Sequence, residues 1–225
     1  MNLTETGEFD WWIGRWRSLI TCGDCRRTMA LDRPCPVCGK DYQNIAAQMI
    51  DVNGRIDLPI SFAGSMHWTE YVLLKLMFVE WNRPVSEDSP FSAMPESNSP
   101  SPRLLMVILY WSLFETLLAR LLGDGMRSLP PTVSEDLLNR YSSVGNRMNK
   151  LYRIVFGTTV HEDLRSLGFE GLSAHLAEVQ ERRNAFIHGK PELINDELVV
   201  RTLNNLAPLQ DAWIALYNLR CTLNS

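Results

Sequence analysis

The stretch LLMVILYWSLFETLLARLL, residues 104–122, decides the fold. Apolar residues occupy nearly every side of it at helical spacing, the pattern of a helix buried at the centre of a protein. Its most apolar run, Leu104 to Leu118, contains Glu115 and is bracketed by Arg103 and Arg120. That run falls short of the roughly 20 residues that cross a bilayer, so a core helix is expected and no membrane contact. Everything C-terminal to it also reads as helix. A second helix is expected to start near Ser134, with Ser134 as its cap and Glu135 and Asp136 in its first turn. It repeats Leu137, Tyr141, Val144, Met148, Leu151 and Val155 in steps of four and three. A third runs from about Ser173 to Ile187, and a fourth over roughly 197–222 with Leu203, Leu206, Trp213, Leu216 and Tyr217. Four to five helices with short connections make a bundle.

On the N-terminal side, Trp68 to Trp81 places Tyr71, Leu74, Met77, Phe78 and Trp81 at helical spacing. Residues 83–102, RPVSEDSPFSAMPESNSPSP, hold five prolines among serines and read as a loop. Further upstream, Asn53-Gly54 sits between two apolar-rich arms, the signal of a two-residue hairpin turn near 47–62. The expected division is a small N-terminal module with the hairpin over 1–66 and a helical bundle over 67–225. The fold class is mainly α, with a small β module in front.

A chain of 225 residues with 45% hydrophobic content can bury a real core. Its formal net charge is -4 and its pI about 5.6, so no global basic field attracts nucleic acid. That excludes a non-specific coating protein and leaves room for a local site. The start, MNLTETGEFD, lacks the basic end and apolar core of a signal peptide, so a cytoplasmic location is expected.

Four of the five cysteines form two close pairs, Cys22-Gly-Asp-Cys25 and Cys35-Pro-Val-Cys38, separated by nine residues. Each Cys-x-x-Cys turn presents two thiolates to one ion, and zinc prefers four such ligands in a tetrahedron. A redox pair of the thioredoxin kind needs a strand–helix unit that this stretch does not show. Four thiolates leave no position open for water, so one structural Zn2+ per chain is expected and no catalytic metal. The intervening RRTMALDRP is long enough for a short hairpin, and residues 17–42 resemble a zinc ribbon. Trp11, Trp12 and Trp16, with Arg15, Arg17, Arg26 and Arg27 nearby, either stack on bases or pack the module against its neighbour. Packing is the more frequent use of such tryptophans.

The third helix carries the functional signal. Leu172, Leu176, Val179 and Phe186 define one apolar face, and the position that completes the stripe is Arg183. A guanidinium buried there without a partner costs several kcal/mol, on the order of magnitude of a broken buried ion pair. It therefore pairs with a carboxylate, Glu115 being the natural candidate, or it borders a cleft or a subunit interface. Five residues on stands His188, followed by Gly189, Lys190 and Pro191, which mark the helix end. The helix dipole there favours positive charge, and imidazole titrates near neutrality. Asn184 lies four residues before His188, within reach of its ring or of a ligand. Arg182 also fits the spacing to His188 but falls off the stripe.

The segment ERRNAFIHG, residues 181–189, resembles the HEPN superfamily, whose signature is Arg, a polar residue, a short spacer and His at the end of a bundle helix. The stretch LFETLLARLL, 113–122, resembles an earlier helix of that family, and the likeness covers about 103–222. It implies a four- to five-helix bundle that dimerises and brings two Arg/His pairs into one composite site. It also implies metal-independent RNA cleavage in toxin–antitoxin or antiviral defence systems, with a neutralising antitoxin or an activating partner. On that reading Arg183 holds the scissile phosphate. His188 moves a proton at the ribose 2′-hydroxyl or the leaving 5′-oxygen, and Asn184 orients His188 or a phosphate oxygen. The alternative is a non-catalytic bundle that binds RNA, a nucleotide or a protein, with Arg183 as a structural ion pair. His67, His161 and His175 lack partners at useful spacings and are expected at surfaces or helix ends, and Cys221 is expected to be an inert buried thiol.

Overall fold

The computed structural model describes residues 19–22, 24–25, 28–30, 34–35, 37–41, 68–85, 91 and 93–221. The hairpin expected near 47–62, the tryptophans at 11, 12 and 16, and His67 lie outside the described residues. Two short strands, β1 (Leu19–Thr21) and β2 (Thr28–Ala30), pair antiparallel with Ile20 opposite Met29. The first cysteine pair therefore sits in the turn of this hairpin. The segment between the two cysteine pairs, residues 26–34, supplies β2 to this hairpin. β2 lies against the last helix of the bundle.

The described residues from 68 onward are mainly helical. α1 (Trp68–Asn82) and α2 (Leu105–Gly125) pack along each other, and α2 also packs against the helices that carry Tyr152, Val179, Leu203 and Trp213. Eleven residues of α2 are buried, among them Tyr110, Trp111, Phe114, Leu117 and Leu118. Burial of about 61% of its most apolar window marks it as the core of a bundle, although its 21 residues are long and apolar enough to cross a membrane by length and composition. Glu70 of α1 receives a hydrogen bond from the Arg120 guanidinium of α2 at 3.1 Å, which neutralises both where they are partly buried. Arg103 closes the C-terminus of α1. Its guanidinium donates to the carbonyls of Glu80, Trp81 and Arg83 and stacks 5.1 Å from the Trp81 ring.

The described part of the connection from α1 to α2 includes a 3-10 turn at Glu96–Asn98. α3 (Pro131–Arg140) follows α2, with Pro131 at the first helical position, where its missing N–H costs nothing. Ser134 is inside this helix rather than capping it, its hydroxyl turned to the Met126 carbonyl. The expected single second helix is in fact two. The chain breaks after Arg140 and resumes as α4, which comprises Val144–Asn146, a π turn at Arg147–Leu151 and Tyr152–Phe156. α5 (Val160–Ser166) starts from a capping box in which Thr159 and Glu162 satisfy each other's backbone N–H groups. α6 (Glu170–Ile187) is the helix that carries Arg183. A 3-10 turn at Pro191–Leu193 leads to α7 (Asp196–Asn204), capped by the Asn195 side chain, and then to α8 (Leu206–Arg220). The expected fourth helix is thus also two, and Pro208 lies in the first turn of α8 where a proline is tolerated.

An ion pair locks the far end. Arg220 of α8 grips Asp163 of α5 through two nitrogens, Nε at 2.6 Å, while Tyr152 of α4 donates its hydroxyl to the same carboxylate at 2.7 Å. Burial, followed by the carboxylate beside it, pushes the Tyr152 phenol well above its ordinary range and keeps it a donor.

Candidate functional site

The four cysteines form one cluster. Their sulfurs all lie within 4.8 Å of one another, with Cys22 to Cys38 and Cys25 to Cys35 each at 3.5 Å. A tetrahedral zinc–thiolate site requires sulfur separations of roughly 3.8 Å, given bonds of about 2.3 Å, so the cluster fits Zn2+. Lys40 pairs with Asp24 at 2.8 Å and ties the two cysteine turns together. Backbone bonds from Cys35 N to the Lys40 carbonyl and from Gly39 N to the Cys35 carbonyl, both 2.8 Å, close the second turn.

α6 presents its expected face. Leu172, Leu176 and Val179 are buried, and Phe186 packs half-buried against the same core. Arg183 is half-buried at the edge of that face and borders a cleft of about 360 Å³. The cleft lies between α2, α4 and α6, lined by Trp111, Glu115, the 142–145 segment, Gln180, Arg183 and Asn184. Clefts that take small ligands begin near this size, at about 300 Å³. Among the described residues Arg183 makes no ion pair or hydrogen bond. The expected Arg183–Glu115 pair is therefore not formed, although both line the cleft. The physical reason is exposure: a guanidinium at an open cleft keeps its water, and burial does not force a partner on it. Glu115 Oε1 instead accepts a hydrogen bond from the buried Trp111 Nε1 at 2.9 Å.

Local structure shapes the opposite wall. Arg147 donates from Nε to the Tyr141 carbonyl at 3.0 Å and from Nη2 to the Leu138 carbonyl at 3.2 Å, fixing the turn that carries Ser142 and Ser143. Ser143 caps α4 with a long bond of 3.4 Å from Asn146 N. Gly145 lets α4 approach α6 closely, since a Cβ there would stand 3.0 Å from Gln180 Nε2. The π turn begins two residues later, and such turns recur near functional sites. Sequence reasoning missed Trp111, Gln180, Ser142, Ser143 and Gly145. Gln180 was within its reach, being three residues before Arg183 and four before Asn184 on one helix face.

His188 sits at the C-cap of α6, exposed, and does not line this cleft. The helix ends in a Schellman motif: Lys190 N bonds the Ala185 carbonyl and Gly189 N the Phe186 carbonyl. Gly189 takes φ 86, a conformation that favours glycine at that position. Asn184 is exposed and lines the cleft; no hydrogen bond joins its side chain to His188. Arg182 stands 3.8 Å from Glu178. Of the other histidines, His161 is half-buried with Nδ1 2.8 Å from Ser173 Oγ. His175, expected at a surface or helix end, is buried against Tyr110 because it shares the apolar face with Leu172, Leu176 and Val179. Cys221 is half-buried beyond α8, and burial pushes its thiol up to about 11, which keeps it unreactive.

Comparison of the chain with protein-family models, curated protein sequences and solved structures found no match.

Proposed function

We propose that the protein is a metal-independent endoribonuclease whose Arg183 cleft holds the phosphate at the scissile bond. The observation that carries this reading is an unpaired guanidinium in a cleft that also offers two side-chain amides and two hydroxyls. A phosphodiester is the ligand that satisfies such a donor set, with the guanidinium binding two oxygens at once. The resemblance of residues 181–189 to the HEPN signature supplies the chemistry: the 2′-hydroxyl attacks the phosphorus, and His188 moves a proton. His188 stands outside the cleft of its own chain, and this reading completes the site with His188 of a second copy facing the Arg183 cleft. A homodimer is the assembly, RNA the substrate, and a toxin–antitoxin or defence setting, with an antitoxin or activator, the context that the resemblance implies. The cysteine cluster holds one structural Zn2+ in a zinc-ribbon module, which stabilises the fold and takes no part in the chemistry.

End-labelled RNA incubated with purified protein in magnesium-free buffer tests the proposal. Wild type is expected to cleave, and Arg183→Ala and His188→Ala to leave the RNA intact. Equal cleavage by all three would place the activity elsewhere.

The position of His188 outside the cleft favours one second reading, a non-catalytic module that binds an RNA or nucleotide phosphate through Arg183. Tight RNA binding without cleavage by the folded, dimeric wild type would select it.

A further inference from the structure

We infer that Glu115 is the general base of this site, an inference that rests on the nuclease reading above. A base must lie within hydrogen-bond reach of the proton it takes, and so inside the cleft that holds the phosphate. Glu115 is the carboxylate that lines the cleft, on the α2 wall between Trp111 and the α6 residues Gln180, Arg183 and Asn184. Its geometry suits the task. Trp111, almost fully buried one turn earlier, donates Nε1–H to Oε1 at 2.9 Å and fixes the orientation of the carboxylate. Oε2 makes no hydrogen bond to a described residue. Glu115 also forms no ion pair with Arg183, so the guanidinium is kept for the phosphate and the carboxylate for the proton. A carboxylate neutralised by a guanidinium is a weaker base.

Glu115 Oε2 takes the proton of the ribose 2′-hydroxyl while O2′ forms its bond to phosphorus. The bond from phosphorus to O5′ breaks, and O5′ takes a proton from the His188 imidazolium of the second copy. Arg183 stabilises the charge on the non-bridging oxygens. The products are a 2′,3′-cyclic phosphate and a 5′-hydroxyl, with Glu115 left protonated and His188 neutral until solvent exchanges both protons.

Glu115→Gln tests the assignment, because its amide oxygen still accepts from Trp111 and its volume is unchanged. Single-turnover cleavage of a one-site RNA is expected to slow by on the order of a hundredfold or more. Binding of the same RNA with a 2′-deoxy sugar at the scissile position should stay within about twofold of wild type, whereas Arg183→Ala loses binding. Glu115→Asp, which keeps a carboxylate, should recover part of the rate. Wild-type cleavage by Glu115→Gln, with Arg183→Ala and His188→Ala inactive, would overturn the assignment and leave the nuclease reading intact. Equal inactivity of the Gln and Asp variants, with melting temperature lowered in both, would make Glu115 structural. An RNA left uncut by wild type would end both readings.

Discussion

Tyr110 and His175 meet edge to face in the core, ring centroids 5.6 Å apart, and neither the phenol oxygen nor the imidazole Nε2 has a hydrogen-bond partner among the described residues. Burial pushes His175 down to about 4, against a smaller upward effect from Glu178 and a further downward one from Arg201. The unfolded chain binds the proton near 6.5, so between these values the unfolded state holds more protons than the folded one. The stability due to neutral His175 is therefore full above about pH 6.5 and is lost as pH falls toward 4. Chemical denaturation between pH 7 and pH 4 should show wild type losing on the order of 3 kcal/mol more than His175→Leu. Parallel curves for the two would contradict this.

The Asp163 carboxylate serves two donors at once, Arg220 and Tyr152, and is almost fully buried. Removing it leaves a partly buried guanidinium without its counter-charge. Asp163→Ala should cost about 3–5 kcal/mol in urea denaturation, and Tyr152→Phe about 1 kcal/mol. A loss below 1 kcal/mol for Asp163→Ala would show that solvent takes over the role of the carboxylate.

Metal analysis of the purified protein should give one equivalent of zinc per chain, and Cys22→Ser or Cys35→Ser should lower it. Stripping the metal is expected to unfold the region around β1 and β2 and to leave most of the helical circular-dichroism signal, since the buried core cluster draws its residues from the helices after residue 67 and from the segments that join them. Loss of the whole helical signal on chelation would mean that the bundle depends on the cluster, through the contact of β2 with α8.

Arg183 and His188 should separate in binding experiments. Arg183→Ala is expected to weaken binding of uncleavable RNA at least tenfold, His188→Ala by less than about threefold, because only Arg183 lines the cleft. Neither change should shift stability by more than about 0.5 kcal/mol, since Arg183 has no ion pair to lose and His188 is exposed. Equal binding losses would place His188 against the bound RNA in the ground state.

The buried helices were the legible part of the fold. α1, α2 and α6 declare themselves through periodicity, because a core face repeats every three to four residues whatever its neighbours are. Helix breaks were harder. The series from Leu137 to Val155 keeps its period straight through the turn at Tyr141–Ser143, so periodicity alone hides the break there. Local chemistry marks several starts: Pro131 at the head of α3, Thr159 with Glu162 before α5, and Pro208 in the first turn of α8. The cysteine cluster was legible from spacing, since two turns and one ion define it. For Arg183, the broken apolar stripe signalled a cleft or a pair. Which of the two applies depends on the distance between α2 and α6 and on the orientation of Trp111, neither of which a single helix encodes. His175 went the other way: one more polar residue on an apolar face, in this case buried.

The identity of the product ends tests the central claim most directly. An RNA with one cleavage site should yield a 2′,3′-cyclic phosphate and a 5′-hydroxyl, and the same RNA with a single 2′-deoxy sugar at that site should remain whole. Cleavage of the deoxy-substituted RNA, or products that end in a 5′-phosphate, would show that the 2′-hydroxyl is not the nucleophile and would contradict the account.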